Sequence, residues 1–173
     1  IPTRDKASII ERMGIGAAPC DVAAPAPLRT RAFVKVQEGC NDVCAFCIVP
    51  RTRGREVSEP IERVVRAVRQ REAEGAQEVV LTGTQLGAYG RDAGGMTPAD
   101  VIAAVLSNTA VPRLRFSSLQ PQDITPALLA LWENPRLCRH FHLALQSGSD
   151  ATLRRMRRRY GVEAYRDAAR RLR

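Results

Sequence analysis

Hydrophobic positions along the chain follow two rhythms in turn. Over residues 32–37, Ala32, Val34 and Val36 alternate with Phe33, Lys35 and Gln37, the period of a strand with two unlike faces. After Pro60, which suits a first helical turn, Ile61, Val64, Val65 and Val68 recur at helical spacing, and Gly75 supplies a stop. Glu62 and Arg66 stand one turn apart on the wet face of that helix, a spacing that favours an ion pair. The unbroken run Val79-Val80-Leu81 predicts a parallel strand covered on both faces. Thr97, Pro98 and Asp100 provide an N-cap, a first-turn proline and a capping-box carboxylate for a helix through Val101, Ile102, Val105 and Leu106. Residues 114–119 read as a third strand, and Thr125-Pro126 opens a helix that buries Leu128, Leu129, Leu131 and Trp132. A fourth strand is predicted over 141–145, with Ser149 placed to cap an arginine-rich helix carrying Leu153 and Met156 on its apolar side.

Strand followed by helix, four times over, predicts an α/β fold of βαβ units, a parallel sheet or partial (β/α) barrel. Four strands with no closing partner leave an edge exposed, so the barrel is expected to be truncated at both ends, a piece of a longer protein. Residues 1–30, with Pro19, Pro25 and Pro27 among alanines and a lone Cys20, read as a linker from a preceding domain; residues 31–173 read as the folded core, incomplete at its C-terminus. With 173 residues, 45% of them hydrophobic, one core is expected. No run approaches the roughly 18 consecutive apolar residues of a membrane helix. A cytoplasmic protein without a membrane partner is therefore expected.

Charge adds a candidate partner. Nine arginines against Asp150, Glu163 and Asp167 place six of the nine net positive charges within residues 149–173. Arg154, Arg155, Arg157, Arg158 and Arg159 would almost surround one helix, where mutual repulsion calls for an anion such as nucleic acid. A solvated helix face is the plain alternative.

Five cysteines, three of them within eight residues, do not resemble a secreted disulfide framework. Cys40, Cys44 and Cys47 directly follow the first strand, where one loop can wrap three thiolates around the corner of an iron-sulfur cluster and leave one iron open. Phe46 is placed to give such a cluster apolar cover. Zinc is the main rival, taking Cys44 and Cys47 with Cys40, Cys138, His140 or His142, although structural zinc normally uses two ligand pairs. A thioredoxin-like dithiol is a third reading. The other predicted strand ends are also polar: Thr82, Gly83, Thr84 and Gln85, then Ser117, Ser118 and Gln120, then Gln146, Ser147 and Ser149. Placed on one rim with the cysteines they would line a ligand cup. Taken singly, each is ordinary turn and cap chemistry. His142 reads as a packed strand residue that makes a hydrogen bond rather than as a ligand, and Trp132 as core.

Taken together, these stretches resemble the radical S-adenosylmethionine enzymes and, within them, the methylthiotransferases. The resemblance runs from Arg31 to Tyr160 and rests on the following stretches: Val34-Lys35-Val36-Gln37-Glu38-Gly39-Cys40; Cys44-Ala45-Phe46-Cys47-Ile48-Val49-Pro50; Arg53-Gly54-Arg55-Glu56; Leu81-Thr82-Gly83; Gly87-Ala88-Tyr89-Gly90; and Leu145-Gln146-Ser147-Gly148-Ser149-Asp150 with Met156, Arg158 and Tyr160. It implies a 4Fe-4S cluster on Cys40, Cys44 and Cys47 whose free iron binds S-adenosylmethionine, and reductive cleavage to a radical that activates a substrate carbon for sulfur insertion and methylation. Thr82, Gly83, Thr84 and Gln85 would then approach the methionine end, and Ser117 and Gln146 the ribose, with Ser147 a further cofactor-binding residue. The resemblance also implies a second 4Fe-4S cluster in a missing N-terminal domain, a transfer-RNA substrate met by Arg154, Arg155, Arg157 and Arg158, and an electron donor such as a flavodoxin or ferredoxin. Residues 81–90 and 117–121 look most like the enzymes that modify N6-threonylcarbamoyladenosine beside the anticodon, ahead of those acting on isopentenyladenosine or a ribosomal protein. Glu59 stands where the family commonly has arginine, and Gln120 where this subfamily often has glutamate. The piece is expected not to complete methylthiolation alone. A zinc-stabilised nucleic-acid-binding module is the alternative from another class.

Overall fold

The computed structural model describes residues 12–13 and 30–173, so the expected linker and Cys20 lie outside the described residues, apart from Arg12, Met13 and Thr30. Strands β1 (Arg31–Glu38), β3 (Glu78–Gly83) and β4 (Arg113–Phe116) are parallel neighbours, and β2 (Val57–Ser58) adds an antiparallel edge beside β1, giving the order β2-β1-β3-β4. Beyond Ser117 the chain of β4 continues as β5 (Ser118–Leu119), which pairs in parallel with β6 (His142–Leu143). Between the strands lie the single turn α1 (Val49–Thr52) and helices α2 (Ile61–Ala73), α3 (Pro98–Asn108) and α4 (Pro126–Ala130); α5 (Asp150–Arg155) and α6 (Val162–Arg171) follow β6. This is an open α/β half-barrel.

The alternation in β1 decides which face is covered. Val34 and Val36 share a face with Leu81, Leu114 and Phe116, and α2 and α3 close over it with Val64, Val65, Val68, Val101, Ile102 and Val105, all buried. Removing that much apolar surface from water is the main force holding the layers together, about 25 cal/mol for each Å² buried. The opposite face is covered only at its centre: Val80 is buried, as expected of β3, but Phe33 beside it is 60% exposed, Arg115 flanks it on the other side, and Arg31 and Arg113 flank Glu78 in the same way. Glu78, buried at the foot of β3, is ion-paired with Arg31, Arg113 and Arg115, at 2.7, 3.3 and 2.9 Å respectively. The Arg115 hydrogen bond, ahead of the other arginine charges, holds its carboxyl below the usual range. Thr97 and Asp100 form the expected capping box at the start of α3.

Several expectations are corrected. Strand 114–119 is broken at Ser117: its amide still closes the ladder with β3 by donating to Leu81 O at 3.1 Å, and from Ser118 the chain pairs with β6 instead. The fourth strand shrinks to two residues because only Ser118 and Leu119 remain to pair with it. The ion pairs around α2 are Arg63–Glu59 and Arg71–Glu74 rather than Glu62–Arg66. Ser149 holds the N-cap position of α5 without a side-chain cap bond. The arginine-rich helix ends at Arg155, and Arg157 adopts φ +56°, so the five arginines do not encircle one helix. His142 makes its hydrogen bond, Nδ1 lying 2.7 Å from Ser118 Oγ, but it is exposed rather than packed. Trp132 packs partly buried against Phe141 and the core, as expected. No helix among the described residues is long and apolar enough to cross a membrane.

Candidate metal centre and its polar rim

The cysteine loop begins where β1 stops being able to pair. Gly39 has φ +74°, and a Cβ there would lie 1.9 Å from Arg55 O, so only glycine lets the chain turn with the following loop pressed against it. Cys40 N then donates to Gly54 O at 3.2 Å. Asn41 and the buried Glu56 bond to each other three times: Asn41 N to Glu56 Oε1 (3.2 Å), Asn41 Nδ2 to Glu56 Oε2 (3.1 Å), and Glu56 N to Asn41 Oδ1 (3.3 Å). A turn closed by Cys47 N donating to Cys44 O (3.2 Å) leads into α1. Cys40, Cys44 and Cys47 are each partly exposed along this loop. Burial pushes the Cys40 thiol up from its ordinary pKa; the Asp42 amide, 3.4 Å from its sulfur, acts the other way, and the charges of Asp42 and Glu56 add to the rise.

Each of the other strand ends reaches this loop through a side chain. Gln37 turns its Nε2 onto Glu38 O and Gly39 O (2.9 Å each) and accepts Gln85 N on Oε1 (2.8 Å), which ties the end of β3 to that of β1. Gln120, just beyond β5, donates through Nε2 to Asp42 Oδ2 at 3.2 Å, and Arg159 pairs with Asp42 Oδ1 at 2.9 Å. Tyr160 donates its hydroxyl to Ala144 O after β6 (2.5 Å) and accepts from Arg158, whose Nη1 lies 3.3 Å from Cys44 Sγ. Ala45 N donates to Met156 O at 3.1 Å, a backbone clasp over the same loop. Buried hydrogen bonds of this kind are costly to leave unmade, so the loop's position is specified from several directions.

Thr82, Gly83 and Thr84 stand half-buried at the end of β3 with Gln85 buried beside them; Ser117 and Ser147 are half-buried, and Gln146 is exposed with φ +65°. Ser147 N bonds to Leu145 O at 2.8 Å, so this stretch follows directly on the carbonyls that hold Tyr160. Phe46 is 57% exposed and does not cover the loop. Arg154, Arg155 and Arg157 face solvent, whereas Arg158 is drawn inward. Cys138 N bonds to Leu114 O near the start of β4, the opposite end of the sheet from the cysteines. Among the described residues no three His, Cys, Asp or Glu side chains gather about one point, which holds for Cys40, Cys44 and Cys47 themselves as well as for the further zinc ligands available in the sequence.

Asp42 and Arg159 are marked only by distant partners, and Asp123 by the short capping box that it forms with Gln120. Asp123 is the most confined. Its side chain is 1% exposed, Oδ2 accepts Gln120 N at 2.8 Å, Arg91 lies 3.8 Å from Oδ1, and Oδ1 has no hydrogen bond among the described residues. A Cβ on Gly87 would sit 1.9 Å from its carboxyl carbon. Burial, above all, raises its pKa.

Residues 34–173 match the family model described as Radical SAM superfamily. The chain is 47% identical over 146 residues to the tRNA-2-methylthio-N(6)-dimethylallyladenosine synthase of Anaeromyxobacter dehalogenans, covering 84% of this chain and 31% of that protein. It is 41% identical over 138 residues to the enzyme of the same name from Chlorobium luteolum, covering 79% and 31%. It thus spans less than a third of the length of these curated relatives. Among solved structures, the fold resembles the cobalamin-dependent S-adenosylmethionine radical enzyme OxsB (TM-score 0.62, 14% identity, 81% of this chain and 22% of that one). It also resembles the radical S-adenosylmethionine methyltransferase TsrM from Kitasatospora setae (TM-score 0.62, 15% identity, 81% and 28%).

Proposed function

The chain belongs to the radical SAM superfamily, and from that premise we propose that it is the catalytic core of a transfer-RNA methylthiotransferase. The observation that carries the reading is the placement of Cys40, Cys44 and Cys47 on one loop at the C-terminal end of β1, tied by hydrogen bonds to the ends of β3, β5 and β6. Three cysteines on a single loop, which do not by themselves gather about one point, are the donor set of a cubane cluster that keeps one iron open. Cys40, Cys44 and Cys47 would hold that cluster. When bound, it supplies the electron for reductive cleavage of S-adenosylmethionine. Thr82, Gly83, Thr84 and Gln85, with Ser117, Gln146 and Ser147, offer the polar rim on which S-adenosylmethionine would lie. Asp42, through Gln120 and Arg159, and Glu56, through Asn41, hold the loop's backbone. Arg154, Arg155 and Arg157 present outward charge for RNA phosphates, while Arg158 belongs to the loop. A second cluster and a small reduced electron carrier complete the proposed machinery.

For the nucleoside, the relatives turn the expectation around. Both synthases described above are named for N6-dimethylallyladenosine, and we take that as the substrate in place of N6-threonylcarbamoyladenosine. The Ser117-Ser118-Leu119-Gln120-Pro121 stretch keeps the threonylcarbamoyl nucleoside as the second reading. Mass spectrometry of transfer-RNA nucleosides from cells lacking the full-length protein decides between them. Loss of the methylthio form of dimethylallyladenosine is expected, loss of its threonylcarbamoyl counterpart selects the second reading, and unchanged RNA overturns both. Anaerobic reconstitution of the chain should yield about four irons, and Cys44→Ala should abolish stable uptake.

A further inference from the structure

Residues 51–55, the end of α1 and the turn after it, have no part in the chemistry above, yet they are built unlike an ordinary surface segment. Their backbone is anchored: Gly54 O accepts Cys40 N, Arg53 N closes α1 onto Val49 O, and Glu56 is locked to Asn41. Two of their side chains, those of Arg51 and Arg55, are not. Arg51 and Arg55 are exposed, and their guanidinium groups meet no carboxylate among the described residues, while Arg53 reaches only Glu38 at 3.2 Å with half its surface in water. Holding like charges on an anchored backbone costs Coulomb energy unless an anion comes to them.

Two cavities show where that anion would run. One, of about 700 Å³, is lined by Lys35, Arg51, Arg53 and Arg55 with Glu38 and Glu59. Glu38 is taken by Lys35 and Arg53 and Glu59 by Arg63, so Arg51 and Arg55 are left uncompensated there. The second, of about 400 Å³, lies over the cysteine loop and is lined by Val43, Cys44, Phe46, Cys47, Arg51 and Arg157. Arg51 belongs to both. Positive charge therefore continues from Arg55 through Arg51 across the mouth of the cysteine loop to Arg157, with exposed Phe46 between.

We propose that Arg51 and Arg55 form a phosphate-binding wall that, with Arg157 opposite, carries a single-stranded segment of the RNA backbone over the cysteine loop. A cationic track with an aromatic ring beside it is how proteins hold an unpaired strand: phosphates on guanidinium groups, a base on the ring. The inference rests on the transfer-RNA reading above and names the side of the loop that this reading left without a role.

The test is binding of an unmodified anticodon stem-loop RNA to the chain across a range of salt concentrations. Arg51→Gln/Arg55→Gln should bind about tenfold more weakly, and the slope of log K against log salt should flatten by about 1.4, roughly 0.7 per lost phosphate contact. Arg51→Lys/Arg55→Lys should recover most of the affinity, and Arg66→Gln on the exposed side of α2 should leave it unchanged. Circular dichroism should show the same fold throughout, because backbone bonds and Glu56 hold the loop. If the wild type binds and the double glutamine variant binds equally with the same slope, the wall is overturned while the RNA reading stands. Wild-type protein that binds no RNA overturns both. Displacement of the RNA by inorganic phosphate at equal concentration marks a free-anion pocket and overturns the strand path.

Discussion

Behind the sheet, Val34, Val36, Leu81, Leu114 and Phe116 meet the side chains of α2 and α3 with almost no surface exposed, and apolar area removed from water is the whole of the bond. At the C-terminal rim the cysteine loop is held instead by single directed contacts: Gln37 to Gln85, Gln120 to Asp42, Arg158 to Cys44, Asn41 to Glu56. The first region is stable because its energy is spread over many contacts, none requiring a particular angle. The second is specific because each contact does. A substitution behind the sheet should therefore cost stability and spare the site, whereas one at the rim should cost geometry at the site and less of the stability.

The largest effect is expected behind the sheet. Leu81, fully buried, becomes a cavity in Leu81→Ala, and unfolding in denaturant should show a loss of about 2–5 kcal/mol. Iron uptake per folded chain should stay at the wild-type level; a fall in uptake without a fall in stability would erase the distinction between the two regions. Gly39→Ala is the matching change at the rim. Its left-handed φ and the 1.9 Å approach to Arg55 O predict about 1–3 kcal/mol of strain, with iron uptake falling out of proportion to the stability lost. Equal loading of variant and wild type would mean that the turn does not place the thiols.

A smaller effect sharpens the comparison through pH. Asp123 is an acid whose folded pKa is raised above its unfolded value of 3.8, chiefly by burial, with Arg91 and Arg159 opposing and Asp42 adding to the rise. The folded state therefore holds the proton more tightly, and this carboxyl's contribution falls as pH rises from about 4 through its folded pKa. Asp123→Asn keeps an acceptor for Gln120 N and carries no charge. The stability of the wild type relative to the variant should decline upward from about pH 4, measured by urea unfolding at a series of pH values. A difference that does not change with pH would show that Asp123 pays no burial penalty.

What was legible in the chain follows the same division. Periodicity reports which side of an element is apolar, so β1, α2, β3 and α3 were found with their buried faces, and the Thr97 capping box stood in four consecutive residues. Three cysteines on one loop were equally plain. Gln37, Asp42 and Glu56 were not, since a polar residue says nothing of a partner 48, 78 or 15 positions away. The arginine-rich stretch misled because an even run of one residue type hides where a helix ends; the left-handed turn at Arg157 sets that end and turns Arg158 toward Cys44. The shortened β6 was hidden for a similar reason, as alternation cannot reveal that its neighbour pairs with β3 up to Phe116 and with β6 only from Ser118.

The ties between the cysteine loop and the rest of the rim also set an order in time. Asp42 waits for a partner 78 residues later in the chain and Cys44 for one 114 residues later. On a ribosome the loop emerges before the residues that complete it, and their long-range contacts are slow to close. The three thiols thus wait through the synthesis of more than a hundred further residues without the contacts that fix the loop, and metal delivered before Arg158 and Arg159 arrive would meet a loop that has not yet taken its shape.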